Sequence, residues 1–281
     1  MTDKILSGKK ISELVLNNLA HKIKKNSEQH NIKPCLAVIL IGDDPASHVY
    51  VGHKIKACEK VGFKSKSYQF KKDTPEKDIL SLINKLNNQK DTHGILLQLP
   101  LPKHLNTQKI INYIKAEKDV DGLTIQNQGS LALNDAKHIP CTPKGIMTLL
   151  KAYDILIEGK ISCVIGRSIL VGSPMVKLLN QANSTVINIH SKSQNPQSLS
   201  QQADILICAA GVPLLIDETW VKEGSTVIDV GIHRKNNKLC GDVNFEKVID
   251  KVRYISPVPG GVGPMTICSL LENCYDSFIK Y

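Results

Sequence analysis

Arginine, aromatic residues and long apolar runs are all scarce in this chain, and each shortage removes a class of protein. The formal charge of +10 is almost all lysine, leaving Arg167, Arg234 and Arg253 as the residues able to fork onto a phosphate or a base edge. Aromatics make up 4% of the chain and the lysines are spread along it. The charge therefore reads first as a solvated surface and second as attraction for a small polyanion; no nucleic-acid partner is expected. No stretch approaches the roughly 20 apolar residues of a membrane span, and Met1-Thr2-Asp3-Lys4 opens no signal peptide, so a soluble, cytoplasmic protein without a membrane partner is expected. The eight cysteines form no Cys-x-x-Cys pair and stand near no histidine at zinc spacing. They read as small buried hydrophobes in a reducing compartment, and no metal site is expected.

What is present is an alternation of strand and helix. Residues 8–27 carry a helical apolar face at Ile11, Leu14, Val15, Leu19 and Ile23, and Pro34 opens a strand ending at Ile41. Asp44 and Pro45 are suited to cap and start a helix that stops at Gly62. A strand over 63–70, a helix from Thr74-Pro75-Glu76 to about Asn88 and a buried strand over 94–99 follow. Thr142 and Pro143 start a new helix, and beyond it strands are expected over 161–165, 185–189, 204–209 and 226–230. Helices are expected over 172–181, near 196–202 and over 265–278. The fold class is α/β, with parallel sheets covered on both sides. The expected domains are residues 1–139 with the last helix, 265–281, and residues 140–264.

Several groups of residues carry possible chemistry. On the second helix Ser47, Tyr50 and Lys54 fall on one face, where Lys54 either snorkels over an apolar neighbour or meets a flat ligand. Gln98 interrupts an apolar strand just before Pro100-Leu101-Pro102, either satisfied by backbone or presented at the carboxyl edge of a sheet. Lys118-Asp119-Val120-Asp121-Gly122 is either a turn or a place where one carboxylate accepts from an amidine-like ring edge.

In the second half, Gly166-Arg167-Ser168 through Gly172-Ser173-Pro174 joins a strand to a helix. It suits a diphosphate, although its spacing is not G-x-G-x-x-G and an ordinary turn stays open. The end of the next strand, His190-Ser191-Lys192-Ser193, has no acid for a ribose 2′-hydroxyl and welcomes a 2′-phosphate, which favours NADP. Ala209-Ala210-Gly211-Val212-Pro213 and Asp229-Val230-Gly231-Ile232 either complete the rim of that sheet or are ordinary turns, and Pro257-Val258-Pro259-Gly260-Gly261-Val262-Gly263-Pro264-Met265-Thr266 reads as a cleft-lining loop.

Taken in order along nearly the whole chain, these motifs, with Pro140-Cys141-Thr142-Pro143, resemble those of the methylenetetrahydrofolate dehydrogenase/cyclohydrolase family. The resemblance implies an N-terminal α/β substrate domain and a C-terminal Rossmann-like NADP-binding domain with a folate cleft between them, and a homodimer formed through the cofactor domain. It implies NADP-dependent oxidation of 5,10-methylenetetrahydrofolate and hydrolysis of the methenyl product to 10-formyltetrahydrofolate, within one-carbon metabolism serving purine, histidine and methionine biosynthesis.

Carried onto this chain, Lys54 is the catalytic lysine, Gln98 its partner, Tyr50 the ring stacked on the substrate and Asp121 the carboxylate on the pterin edge. Gly166, Arg167, Ser168, Ser191, Lys192, Gly211 and Ile232 are expected at the cofactor, and Pro257, Gly260 and Gly261 at the substrate. Ala116 stands where the family commonly has Pro, and Leu123-Thr124-Ile125 where Phe-His-Pro is more usual, so the loop there is expected to differ in shape.

Overall fold

The computed structural model describes residues 4–30, 32–235 and 238–280. They fall into two compact units, Leu14–Cys141 with Ile267–Tyr281, and Met1–Glu13 with Thr142–Thr266.

The first unit begins in α1 (Gly8–His30) and continues through β1 (Cys35–Ile41), α2 (Pro45–Val61), β2 (Lys64–Phe70), α3 (Glu76–Asn88), β3 (Gly94–Leu97), α4 (Thr107–Tyr113) and α5 (Ile125–Ala132) to the start of α6 (Cys141–Ala152). Its sheet is parallel, in the order β2-β1-β3. Every residue of β1 is buried, which is why the strand reads as an unbroken apolar run. Ala37, Ile39 and Ile41 meet Ile79, Ile83 and Leu86 of α3. The polar sequence of β2 suits its place at the sheet edge, where lysines discourage further pairing.

The second unit adds β4 (Ile161–Ile165), α7 (Gly172–Gln181), β5 (Thr185–Ile189), α8 (Pro196–Ser200), β6 (Ile205–Cys208), β7 (Thr226–Asp229), the antiparallel pair β8 (His233–Lys235) and β9 (Lys238–Cys240), α9 (Phe245–Val248), β10 (Tyr254–Ile255) and the start of α10 (Val262–Phe278). Its five strands are parallel in the order β10-β7-β6-β4-β5. The chain runs outward from β4 to β5 and then crosses to β6, so the order reverses between β4 and β6. Ligands of open α/β sheets bind outside the carboxyl ends of strands at such a point.

Several boundaries differ from the sequence reading. The expected first domain includes residues 1–13, but these group with the second unit, where the Leu6 N–H donates to the Ile255 carbonyl at 2.9 Å and the Ser7 N–H to the Tyr153 hydroxyl at 2.9 Å. Helix α6 starts at Cys141, so Thr142 lies inside its first turn and its hydroxyl pairs with that of Thr266 at 3.0 Å instead of capping. Helix α10 starts at Val262 and takes Gly263 and Pro264 into its first turn, where proline's missing N–H costs nothing. Strand β3 stops at Leu97, although the Gln98 N–H still reaches the Ile39 carbonyl at 2.9 Å. Among the described residues no helix is long and apolar enough to cross a membrane, and no cluster of three metal-ligating side chains is found.

Candidate active site

In the first unit, α2 is built to hold its side chains in register. The Asp44 carboxylate accepts from the Ser47 backbone N–H and hydroxyl, each at 2.8 Å, and Gly62 ends the helix at φ 86°. Ser47 is therefore part of the cap, and the expected face reduces to Tyr50 and Lys54. Lys54 Nζ donates to Gln98 Oε1 at 2.9 Å, and Gln98 Nε2 donates to the Leu99 carbonyl at 2.7 Å. Gln98 thus sits just past the end of β3 with its amide N–H donating to backbone and its oxygen accepting from Lys54.

The two carboxylates before Gly122 divide their work. Asp119 accepts from the Thr124 N–H at 2.7 Å and from Asn127 Nδ2 at 2.8 Å, so it builds the turn into α5. Lys118 donates to the carbonyls of Leu86 and Gln89, at 2.9 and 2.7 Å, closing the end of α3. That leaves Asp121, which lies in the electrostatic reach of Lys54. Burial lowers the Lys54 ammonium below the usual lysine value, opposed by Asp121 and Cys141. Burial likewise raises the Asp121 carboxyl, opposed by Lys54. Both groups are pushed toward their neutral forms. Burial also raises the Tyr50 phenol, which keeps its proton and its flat, half-buried ring.

From sequence alone Cys141 is one more buried hydrophobe. Its thiol donates to the Val120 carbonyl at 3.2 Å and stands beside the Asp121 carboxyl. The signal was its place between two prolines in a motif already singled out. The divergent loop also has a physical account. Ile125 occupies the first position of α5, its N–H donating to Asn112 Oδ1 at 2.7 Å, so a donor that proline would delete is used.

In the second unit the expected cofactor residues gather at one sheet edge. A Cβ at Gly166 would collide with the Ala209 carbonyl, so the turns after β4 and β6 pack backbone to backbone at the reversal point. Ser168 Oγ accepts from the Val171 N–H at 3.2 Å, shaping the entry to α7, while Arg167 remains exposed. After β5 the Ser193 hydroxyl accepts from the His190 N–H at 3.0 Å, and His190 Nδ1 from the Lys192 N–H at 3.2 Å. This tight turn leaves the Ser191 and Lys192 side chains exposed. Gly211, at φ 70°, has nothing within 4 Å of where a Cβ would stand, and Ile232 is 42% exposed. These features fit a dinucleotide: backbone open to close approach, exposed cations and no acid where a 2′-phosphate would lie. In the loop before α10, the Gly260 carbonyl accepts from the Lys9 N–H at 2.8 Å. Gly260, at φ 102°, also presents an open backbone face, and Gly261 is crowded by the Pro257 carbonyl.

Together the fold and these residues define a class: an α/β chain with a Rossmann-like nucleotide-binding unit and a second α/β unit carrying a half-buried lysine–amide pair with a carboxyl group in electrostatic reach. Residues 6–121 match the family model described as tetrahydrofolate dehydrogenase/cyclohydrolase, catalytic domain, and residues 140–281 match that of its NAD(P)-binding domain. The chain belongs to the tetrahydrofolate dehydrogenase/cyclohydrolase family. It is 48% identical to the bifunctional protein FolD of Agathobacter rectalis over 97% of this chain and 98% of that protein. It superposes at a TM-score of 0.95 on the crystal structure of the bifunctional FolD enzyme of Campylobacter jejuni, with 45% identity and 99% of each chain covered. The TM-score is again 0.95 for the FolD of Trypanosoma brucei solved with NADP cofactor and an inhibitor, at 32% identity over 98% of this chain and 97% of that one.

Proposed function

We propose that this chain oxidises 5,10-methylenetetrahydrofolate with NADP+ and hydrolyses the resulting 5,10-methenyl cation to 10-formyltetrahydrofolate. Full-length identity to bifunctional FolD proteins supports the pair of reactions. The observation that carries the residue roles is the 2.9 Å bond between Lys54 and Gln98, made by a lysine that burial holds below its usual pKa.

NADP+, when bound, supplies the acceptor for the hydride leaving the bridging methylene. Gly166, Arg167, Ser168, Gly211 and Ile232 would hold it, with Ser191 and Lys192 at the 2′-phosphate. For the oxidation the protein's task is placement. The Tyr50 ring supports the aminobenzoyl group, Asp121 holds the pterin edge, and Pro257, Gly260 and Gly261 offer backbone to the substrate.

Hydrolysis asks more of the side chains. Water must add to the methenyl carbon, one proton must leave, and the bond from that carbon to a ring nitrogen must break as the nitrogen takes up a proton. A neutral Lys54 amine, oriented by Gln98, takes the proton from the attacking water. Its ammonium then serves as donor when the ring nitrogen departs. The cationic substrate favours the neutral amine further.

The same reading carries a homodimer formed through the second unit, in keeping with the outermost position of β5 in its sheet. It also carries a cytoplasmic location in one-carbon metabolism serving purine, histidine and methionine biosynthesis. Cys58 and Cys163, whose thiols burial pushes up to about 12, are chemically quiet, as a reducing compartment allows.

The test is to mix the protein with methylenetetrahydrofolate and either NADP+ or NAD+ and follow reduced cofactor and methenyl absorbance separately. Reduction with NADP+ followed by decay of the methenyl band is expected. Absence of reduction with both cofactors would overturn the proposal.

A further inference from the structure

Two aspartates at the carboxyl edge of this sheet, Asp229 and Asp242, are buried and bonded in a reciprocal pattern. Asp229, the last residue of β7, accepts from the N–H groups of Gly231 at 3.0 Å, Asp242 at 2.9 Å and Val243 at 3.0 Å. Asp242, whose side chain is wholly buried, accepts from the Gly211 N–H at 2.9 Å and from His233 Nε2 at 2.8 Å. Each carboxylate lies against a glycine from the other segment: a Cβ at Gly231 would strike the Asp242 carboxylate, and one at Gly241 would strike that of Asp229.

Asp229 thus fastens the 241–243 segment to β7, and Asp242 reaches from that segment to two places on the rim. One is the Gly211 turn after β6, beside the reversal point of the sheet. The other is His233, the residue directly after Ile232. Gly231 is held by Asp229 and His233 by Asp242, so the exposed Ile232 has both chain neighbours fixed. A loop tip that presents an apolar side chain and an open glycine to a ligand needs such fixing if it is to meet the ligand without first being ordered.

We propose that Asp242 is a positioning residue for the nicotinamide cofactor, holding the Gly211 turn and the Ile232 segment in the arrangement in which they receive it. The proposal rests on the assignment of Gly211 and Ile232 to the cofactor. A carboxylate is required because both partners are donors: an ionised carboxylate offers an oxygen to each, whereas an asparagine turns its amide toward one of them.

The test compares NADP+ dissociation constants, measured by calorimetry, with methenyltetrahydrofolate hydrolysis assayed without NADP+, in the full chain well below its thermal midpoint. Asp242→Asn is expected to weaken NADP+ binding about tenfold, the scale of one charge-assisted hydrogen bond, while hydrolysis stays within about twofold of wild type. His233→Ala is expected to weaken binding in the same direction and His233→Gln, which keeps a donor, to restore most of it. If Asp242→Asn fails to fold, the His233 pair decides. NADP+ affinity within about twofold of wild type in these variants, or hydrolysis falling in step with affinity, would mean that Asp242 serves the scaffold alone. Wild-type protein that binds no NADP+ would instead overturn the cofactor assignment, and this proposal with it.

Discussion

Lys54 Nζ donates to Gln98 Oε1 at 2.9 Å, joining the third turn of α2 to the residue just past β3. The bond orients an amine that burial keeps below its usual pKa without giving it a charged partner in direct contact. A glutamine does this where a carboxylate would hold the proton on.

Replacing the amine tests its role directly. Lys54→Met removes it, and Lys54→Arg keeps a cation that cannot give up its proton. Both variants are expected to lose methenyl hydrolysis by roughly 10²–10⁴-fold, the usual span of general acid–base catalysis. Calorimetric NADP+ affinity should remain close to wild type, because the residues proposed for the cofactor belong to the other unit. Unimpaired hydrolysis in Lys54→Arg would refute proton transfer by this residue.

Gln98→Glu places a carboxylate against Lys54. An opposite charge stabilises the ammonium, so the Lys54 pKa, lowered in wild type by burial, should move upward. The rising limb of the hydrolysis pH profile is therefore expected to shift to higher pH, with reduced rate near neutrality. A profile that keeps its wild-type limb would show that Gln98 does not set the amine's protonation.

Cofactor choice is expected to reside after β5. Lys192→Ala removes an exposed cation, and Ser191→Asp adds the acid that the sequence lacks there. Each should raise the KM for NADP+ roughly tenfold, the scale of one charge-assisted contact, and Ser191→Asp should also improve use of NAD+. Steady-state kinetics with both cofactors decides this.

Asp229 makes stability depend on pH. Burial raises its carboxyl from 3.8 to about 6, against the pull of the backbone N–H groups of Val243, Asp242 and Gly231. Since the folded chain holds this proton more tightly than the unfolded one, the contribution is fully present below the unfolded value and lost as pH rises through about 6. Asp229→Asn cannot titrate, and its amide also meets backbone donors. It should be less stable than wild type throughout, with the gap narrowing between pH 4 and pH 7.5 (about the span of the transition) in urea denaturation followed by fluorescence of Trp220. A gap that stays constant or widens would contradict the assigned shift.

Gly62 ends α2 at φ 86°, and an added Cβ would meet only Ile23 Cγ2, at 3.8 Å. Gly62→Ala therefore costs backbone conformation and no packing, about 1–2 kcal/mol of stability, measurable by circular dichroism in urea. Lys54 lies two turns earlier, so hydrolysis in the folded variant should be little changed.

The local signals in this sequence were strong enough to place most elements. Asp44-Pro45 and Gly62 bound α2, and the apolar runs of β1, β4 and β6 announce strands buried on both faces. The absence of an acid after Ile189 pointed to a 2′-phosphate, because ligand charge is read by nearby side chains of known type. Short elements such as α4, α5, the β8–β9 pair and β10 were not legible, since pieces of this length have too little periodicity and are held by partners distant in sequence.

Chemistry, too, divided along that line. Residue types and their spacing were enough to show that Lys54, Gln98 and two neighbouring carboxylates were available, and in which kind of fold. Folding was needed to show that Asp119 builds a turn while Asp121 lies within electrostatic reach of the lysine, that Ser47 belongs to a cap, and that Asp242 clasps Gly211 and His233. Burial and hydrogen-bond partners are set by segments far apart in the chain, and these decide whether a carboxylate or an amine is scaffold or reagent.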